Sequence, residues 1–261
     1  MPDHSSPATD PVIEAAPARA VIRVTGRDAR DFLQGMVTND LAKGLEHGLV
    51  YAALLSPQGK YLADFFVLAQ DDALLLDAPE ALAPDLLKRL TMFKLRADVT
   101  LEKTEMPVAR GLGPAPEGAL ADPRDPALGW RLYGVAGGPE VTDWDALRVA
   151  HLVPEAGTEL IPNDSYILEM GFERLHGVDF KKGCYVGQEV VARMKHKTEL
   201  RKGLARVAVA GEAAPGDEIT AGGKPVGVLG TRSGDRALAY LRFDRATGPM
   251  EAGAARVTWT P

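Results

Sequence analysis

The sequence predicts an α+β fold that ends in a small antiparallel β-barrel, and three observations carry that prediction. From Gly203 onward, short alternating apolar runs (LARVAVA, EIT, PVGVLGT, ALAYLRF, ARVTWT) are parted by glycine turns such as Gly222-Gly223-Lys224, the pattern of short strands closing on one another. Upstream, two apolar runs, YAALL and LADFFVL, flank Ser56-Pro57-Gln58-Gly59-Lys60 and read as a hairpin. Helical spacing of apolar residues follows both before it (Phe32, Leu33, Met36, Val37) and after it (Leu86, Leu87, Leu90, Phe93). The chain has 261 residues, 46% hydrophobic and 25% charged. That composition excludes a collagen-like, coiled-coil or wholly disordered protein, and the length allows one or two domains.

The N-terminal segment MPDHSSPATDPVIEAAPARA carries acids and four prolines. It has neither the apolar centre of a secretory signal nor the basic character of a mitochondrial presequence, so 1–18 is expected to be a flexible tail. No run approaches the roughly 18 apolar residues of a membrane span, and the expectation is a cytoplasmic protein with no membrane partner. Arg19–Val24 reads as a strand. Thr25 and Asp28 form a capping-box-like start for the first helix, and Asn39-Asp40 is read as a turn cap rather than a ligand group. After the hairpin, ALLLDA is a third strand beyond the Asp71-Asp72 turn. Ala83-Pro84-Asp85 opens a helix, since proline is tolerated at its first position, and Asp98–Lys103 returns as a strand. Residues 49–103 thus read as a βββαβ unit.

Between Met106 and Glu140 six prolines and seven glycines surround short strands such as WRLYGV, a loop-rich crossing. Thr142 and Asp145 suggest a second capping box for a helix holding Trp144, Leu147 and His151, with Trp144 in the core. A further helix is expected near Asp164, with Tyr166, Ile167, Met170 and Phe172 as its apolar face. His151, His176 and His196 lack metal-ligand spacing, and no metal site is expected.

Chemistry concentrates in Lys181–Arg193, KKGCYVGQEVVAR. Cys184 is the sole cysteine, so it forms no internal disulfide, leaves no cluster for structural zinc and fits a reducing compartment. Two lysines and a helix start at Gly187 favour its thiolate, and Gly183 permits close backbone approach. On the residues alone, a buried inert thiol in a tight turn is an equal reading. Residues 181–206 carry a local charge of +6 in a chain whose net charge is −6. This suits an anionic partner or a merely solvated helix end. The lack of aromatic residues after Tyr185 argues against a single-strand nucleic-acid platform.

The run KGCYVGQEVVAR resembles the signature of the YgfZ family, folate-binding proteins linked to iron–sulfur enzyme maturation and related to the glycine-cleavage T-protein. DFLQGMVTND, SPQGKYLADF and VPEAGTELIPND resemble its first helix, its hairpin and the loop before the signature, so the likeness covers about residues 20 to 205. It implies three subdomains around a central folate-sized opening. These are 19–48 with 107–198 as the folate-binding subdomain, 49–106 as an inserted βββαβ subdomain, and 199–261 as the C-terminal barrel.

The resemblance further implies tetrahydrofolate as cofactor. Glu155 would grip the pterin, whose adjacent amino and ring N–H groups suit a bidentate carboxylate. Lys182, Gly183, Tyr185, Gln188, Glu189 and Arg193 are further binding candidates. Asp64 aligns with one of a pair of acids in the T-protein, but its neighbour here is Ala63, and the T-protein runs on past its barrel where this chain ends. Asp64 and Cys184 are the candidate catalytic groups. The implied function is a tetrahydrofolate-binding accessory protein in assembly or repair of iron–sulfur enzymes, indirectly supporting tRNA modification. The alternative is a folate-dependent aminomethyl or one-carbon transferase or demethylase. Iron–sulfur enzymes or assembly proteins are the implied partners, and RNA contact is the least favoured reading. One cysteine cannot supply the usual four thiolates of a cluster.

Overall fold

The hairpin strands are apolar at nearly every position because both of their faces are covered. The computed structural model describes residues 11–197 and 200–260; the part of the expected tail at 1–10 lies outside the described residues. Its elements begin with β1 (Glu14–Ala15), β2 (Arg19–Thr25), α1 (Ala29–Met36) and α2 (Leu41–Gly44). The hairpin follows as β3 (Val50–Leu55) and β4 (Tyr61–Gln70), then β5 (Ala73–Pro79), α3 (Ala83–Phe93) and β6 (Thr100–Thr104).

These strands make one antiparallel sheet in the order β3-β4-β5-β2-β6. On one face Leu33, Met36, Leu86 and Leu90 of α1 and α3 pack over Ile22, Val24, Ala52, Leu54, Phe65 and Leu76. On the other, Tyr51, Tyr61, Phe66 and Leu75 meet Val153, Leu160, Ile167, Met170 and Phe172. Residues 49–106, read as an inserted βββαβ unit, share their sheet with β2. β2 lies between β5 and β6, pairing Val21 with Asp77 and Val24 with Leu101, because its own alternating run fills the gap left by β5 and β6.

A second sheet has the order β1-β7-β9-β8, where β7 is Val108–Gly111, β8 Leu120–Ala121 and β9 Trp130–Tyr133. The loop-rich crossing therefore has structure, and part of the expected tail is a strand. Helices α4 (Trp144–His151) and α5 (Gln188–Lys197) follow. The last six strands are β10 (Lys202–Ala210), β11 (Glu218–Ala221), β12 (Lys224–Ser233), β13 (Arg236–Arg242), β14 (Met250–Ala252) and β15 (Ala255–Thr258). They close into a barrel in the order β10-β13-β12-β11-β14-β15. Its interior mixes alanines (Ala205, Ala237, Ala239, Ala252) with Val207, Ile219, Leu229 and Leu241, small side chains that let so narrow a barrel close. The three-residue β14 is too short to announce itself by alternation.

Local capping signals were overridden by tertiary partners. Thr25 ends β2, and the Asp28 carboxylate accepts the Asp98 N–H at 2.8 Å rather than capping α1. α4 is capped by Asp143, which accepts the Ala146 N–H at 2.8 Å, while the Thr142 hydroxyl donates to Glu14 at 2.6 Å. Asp40 caps α2 as read from sequence, accepting the Ala42 N–H at 3.0 Å. Residues 164–176 form turns rather than a helix, with Asn163 and His176 at φ 63 and 53, although Ile167, Met170 and Phe172 are buried. Phe93, expected in the buried stripe, is 45% exposed at the end of α3.

Glu14 anchors the N-terminal strand. Its buried carboxylate accepts the Thr142 hydroxyl and the Trp144 indole N–H, the latter at 2.8 Å. Burial pushes this carboxyl up, but the hydrogen bonds outweigh it and hold the group below its ordinary value of 4.5. A depressed carboxyl contributes stability above its unfolded value and loses it as pH falls through the folded one. Glu14→Gln is therefore expected to cost about 1.5–3 kcal/mol at neutral pH, the range of hydrogen bonds to a charged group. The gap from the parent should narrow below pH 4.5 in urea titrations; a gap unchanged through acid would refute the assignment.

Candidate functional site

The side chains of β4 part to opposite faces at the site. Ala63 packs in the core under α1 and α3, whereas Asp64 turns to the other face and lines a cavity of about 260 Å³. Two buried phenols grip the Asp64 carboxylate: Tyr61 donates to Oδ1 at 2.6 Å and Tyr51 to Oδ2 at 3.0 Å. Burial, reinforced by the Asp64 charge, pushes both phenols well above their ordinary range, so they stay donors. Glu155 lines the same cavity. Its side chain is 44% exposed and meets Arg148 Nε at 3.4 Å. The two carboxylates that resemblance singled out are thus brought together.

The rest of the lining is rich in arginine, which sequence reasoning missed: Arg19, Arg110, Arg124, Arg131 and Arg148. Asp77, fully buried on β5, binds Arg19 at 2.6 Å and Arg131 at 3.2 Å and accepts the Tyr133 hydroxyl at 3.0 Å. Asp122 takes Arg124 through two bonds, at 3.0 and 2.8 Å, and Arg131 at 3.4 Å. The guanidiniums of Arg131 and Arg124 lie 4.1 and 4.8 Å from the Phe66 ring centroid, a cation–π arrangement. Arg148 holds Asp145 at 2.8 Å and approaches Glu159 at 3.5 Å. The available signal was a charge inside a short apolar strand, as with Arg131 in WRLY.

The cysteine segment is built elsewhere. The Asp179 carboxylate accepts the N–H groups of Lys181 and Lys182 at 2.6 and 3.2 Å. The Lys182 ammonium, 6% exposed, donates to the carbonyls of Gln34 at 2.6 Å and Val37 at 2.5 Å, satisfying the C-terminal end of α1. Burial lowers that ammonium to about 8. Between these anchors and the buried Tyr185, Gly183 and Cys184 project outward; the thiol is exposed, and a Cβ on Gly183 would meet no atom within 4 Å. Burial pushes the Tyr185 phenol up to about 12. The α5 start docks on the hairpin turn, for Gly187 at φ +84 has no room for a Cβ beside the Ser56 carbonyl, and Gly59 none beside Val190.

The single-site expectation is therefore corrected. Lys182, Gly183, Cys184, Tyr185, Gln188, Glu189 and Arg193 do not line the cavity that holds Asp64 and Glu155. Lys182 caps a helix, Tyr185 packs in the core, Gln188 is half-buried, and Glu189 and Arg193 face solvent. The reading of Cys184 as a buried thiol also falls, because it is exposed. In the basic stretch Lys195 pairs with Glu173 at 2.5 Å and Arg206 donates to the Ala150 carbonyl at 2.6 Å, while Thr198 and Glu199 lie outside the described residues.

Comparison with known proteins separates family from fold. The human iron–sulfur cluster assembly factor IBA57, mitochondrial, is 32% identical to this chain, covering 97% of it and 85% of the human protein. The chain belongs to the IBA57 family. The mouse IBA57 is 30% identical across 89% of this chain and 78% of its own length. An IBA57 homologue from Mycosarcoma maydis is 35% identical across 71% of this chain, which spans 54% of that protein. The model of the CAF17 C-terminal beta-barrel domain matches residues 201–261, the closed barrel. The crystal structure of glycine cleavage system aminomethyltransferase T from Bartonella henselae has a TM-score of 0.72 at 12% identity, over 94% of this chain and 83% of that one. The fold is thus that of the T-protein, as the signature's resemblance implied. Among the described residues no helix is long and apolar enough to cross a membrane.

In this IBA57-family chain the cavity depends on its buried charges. Replacing Asp77 by alanine strands Arg19 without a counter-charge and leaves Arg131 only its 3.4 Å contact with Asp122. Losing one partner of a buried pair typically costs about 3–5 kcal/mol, and that loss is expected in denaturant titrations of Asp77→Ala. A loss below about 1 kcal/mol, the worth of a surface pair, would mean that the network carries little.

Proposed function

We propose that this chain is a tetrahydrofolate-binding factor of the YgfZ type that assists the assembly or repair of iron–sulfur enzymes, with Cys184 as its chemical contact to the client. The observation that carries the folate half is the pairing of Asp64 and Glu155 across one arginine-lined cavity. Both are acceptors, the groups a pterin's adjacent N–H donors require. Arg148 and Arg110 lie in the same wall and match the carboxylates of a folate tail. A cavity of about 260 Å³ lies near the lower end of small-molecule pockets, roughly 300–1,000 Å³, so the ring system would be enclosed and the tail would reach solvent. When bound, the folate would supply one-carbon chemistry; the chain's own part is to hold and orient it.

The iron–sulfur half rests on the assembly role named for the relatives and on the exposed thiol. A cluster is cargo here. Cys184 offers one ligand, so the remaining ligands come from a partner chain. Support for tRNA modification would then be indirect, through the client enzyme that performs it. The lone cysteine suits a reducing compartment, and we place the chain in the cytoplasm. The transferase reading has less support: Ala63 faces the helix-side core, which leaves one acid of the T-protein pair on the cavity side.

Two experiments separate the halves. Tetrahydrofolate at a hundredfold excess over its Kd should stabilise the fold by about 2.7 kcal/mol through linkage, read as a rise in Tm, and Glu155→Ala should abolish the rise. No shift in the parent at saturating folate rejects the pocket assignment. In cells lacking the protein, Cys184→Ser should retain the folate-induced shift yet fail to restore a tRNA-methylthiolating iron–sulfur enzyme; full rescue would remove the thiol from the mechanism.

A further inference from the structure

A second cavity, of about 230 Å³, lies where the hairpin turn, the 158–170 segment and the barrel meet. A wall built around Glu159 divides it from the Asp64 cavity. This carboxylate is 6% exposed; Oε1 accepts the Thr231 N–H at 2.6 Å and Oε2 the Glu155 N–H at 2.8 Å, with Arg148 at 3.5 Å. A Cβ on Gly230 would come within 2.5 Å of Oε1, so the glycine lets the barrel strand seat against the wall. Both Glu159 oxygens are thus committed to structure, and the second cavity must be read from its remaining groups.

Those groups carry both signs of charge beside an apolar surface. The Lys60 ammonium donates to the Asp164 carbonyl at 2.5 Å and lies 3.7 Å from the Tyr166 ring centroid, contacts that leave its charge unneutralised. Lys202 adds a second, half-buried cation. Opposite in sign are the exposed Asp164 and Glu169, which gives one oxygen to the Tyr240 hydroxyl at 2.5 Å. Ile161 and Val228, 40% and 45% exposed, supply an apolar mouth above the buried Met170. Large aliphatic side chains left open beside a concave, charged surface are the usual mark of a ligand site.

We infer that this cavity binds a small zwitterion with an apolar side chain, a free α-amino acid of the leucine or phenylalanine type. Its carboxylate meets Lys60 and Lys202, its ammonium meets Glu169 and Asp164, and its side chain covers Ile161, Val228 and Met170. A lone anion would meet the two acids as like charges and a lone cation the two lysines; an ammonium and a carboxylate on one carbon match both signs. The site is independent of the folate reading, since the Glu159 wall separates the two cavities.

The test uses the full chain labelled with ¹³C-methyl methionine, because Met170 reports from the cavity floor. L-leucine should shift the Met170 methyl resonance saturably, whereas 4-methylpentanoate and isoamylamine, each lacking one of the two charges, should bind at least tenfold more weakly. Lys202→Gln, at a half-buried position, and Val228→Lys, at an exposed one, should each abolish the leucine shift, and Glu155→Ala should leave it intact. Absence of any Met170 shift up to the solubility of leucine overturns the site. Equal binding by the carboxylate or the amine alone overturns the zwitterion assignment, and a shift that survives both Lys202→Gln and Val228→Lys places the ligand elsewhere.

Discussion

The buried carboxylate of Asp77 is the constraint on which the cavity side of this molecule depends. It stands on the central sheet yet binds Arg19 of β2 and both Arg131 and Tyr133 of β9, so one side chain joins the two sheets of the N-terminal part. Asp122 continues the chain of charge through Arg131 to Arg124. Burying ions is costly, and well-packed apolar residues can be as stabilising or more so. The advantage of charge here is different: apolar side chains would close the space, while a rigid lattice of fully paired ions keeps a polar concavity open behind Asp64. Pairing also decides which groups stay available. Asp77 and Asp122 absorb Arg19, Arg124 and Arg131, while Arg110 pairs with Glu140 and Arg148 with Asp145, which leaves the partly exposed Glu155 as the lining carboxylate most open to a ligand.

The sulfur site uses a separate device. Lys182 reaches back to two carbonyls at the end of α1, and Asp179 collects two backbone N–H groups. The loop is pinned on both sides and only Gly183 and Cys184 project from it. Gly187 and Gly59 then let α5 settle on the hairpin turn at contact distances no side chain would allow. β4, which leaves that turn, carries Asp64 a few residues later. Cavity and thiol do not share a lining.

How much of this was legible in sequence followed how local the determinant was. The hairpin, the proline-led start of α3, the Asp40 cap and the barrel strands other than β14 rest on neighbours in the chain, and each could be read there. Thr25 and Thr142 had the spacing of capping residues, but Thr142 met Glu14 from far upstream, and Asp28 was taken by the Asp98 backbone. The apolar residues at 167, 170 and 172 were correctly buried and wrongly helical, since turns with left-handed Asn163 and His176 can aim them inward as well as a helix can. β2 illustrates a different limit: its strand character was plain, but insertion between β5 and β6 is a property of sheet order that no local pattern contains. At the site, carboxylates were found through resemblance, while arginines scattered from 19 to 148 converge only in three dimensions.

Lys182 is the most instructive misreading, because it changes what Cys184 can do. A lysine beside a cysteine suggests a cation that lowers the thiol's pKa or meets an anionic ligand. Its ammonium is instead turned inward and donates to two carbonyls, and although burial lowers it to about 8 it stays mostly protonated at neutral pH. The lysine's donors are therefore committed to the end of α1: it fixes the loop and leaves the thiol facing outward. A thiol meant to act on a folate in the cavity would have to face it, and this one does not line it. An outward sulfur on a pinned loop suits transfer or sharing of cargo with another protein, where one ligand is given and the rest are received. On that reading the T-protein-like fold keeps its opening for the small molecule and places its chemistry with partners on the outer surface, which explains how an assembly factor can share an architecture with an aminomethyltransferase at 12% identity.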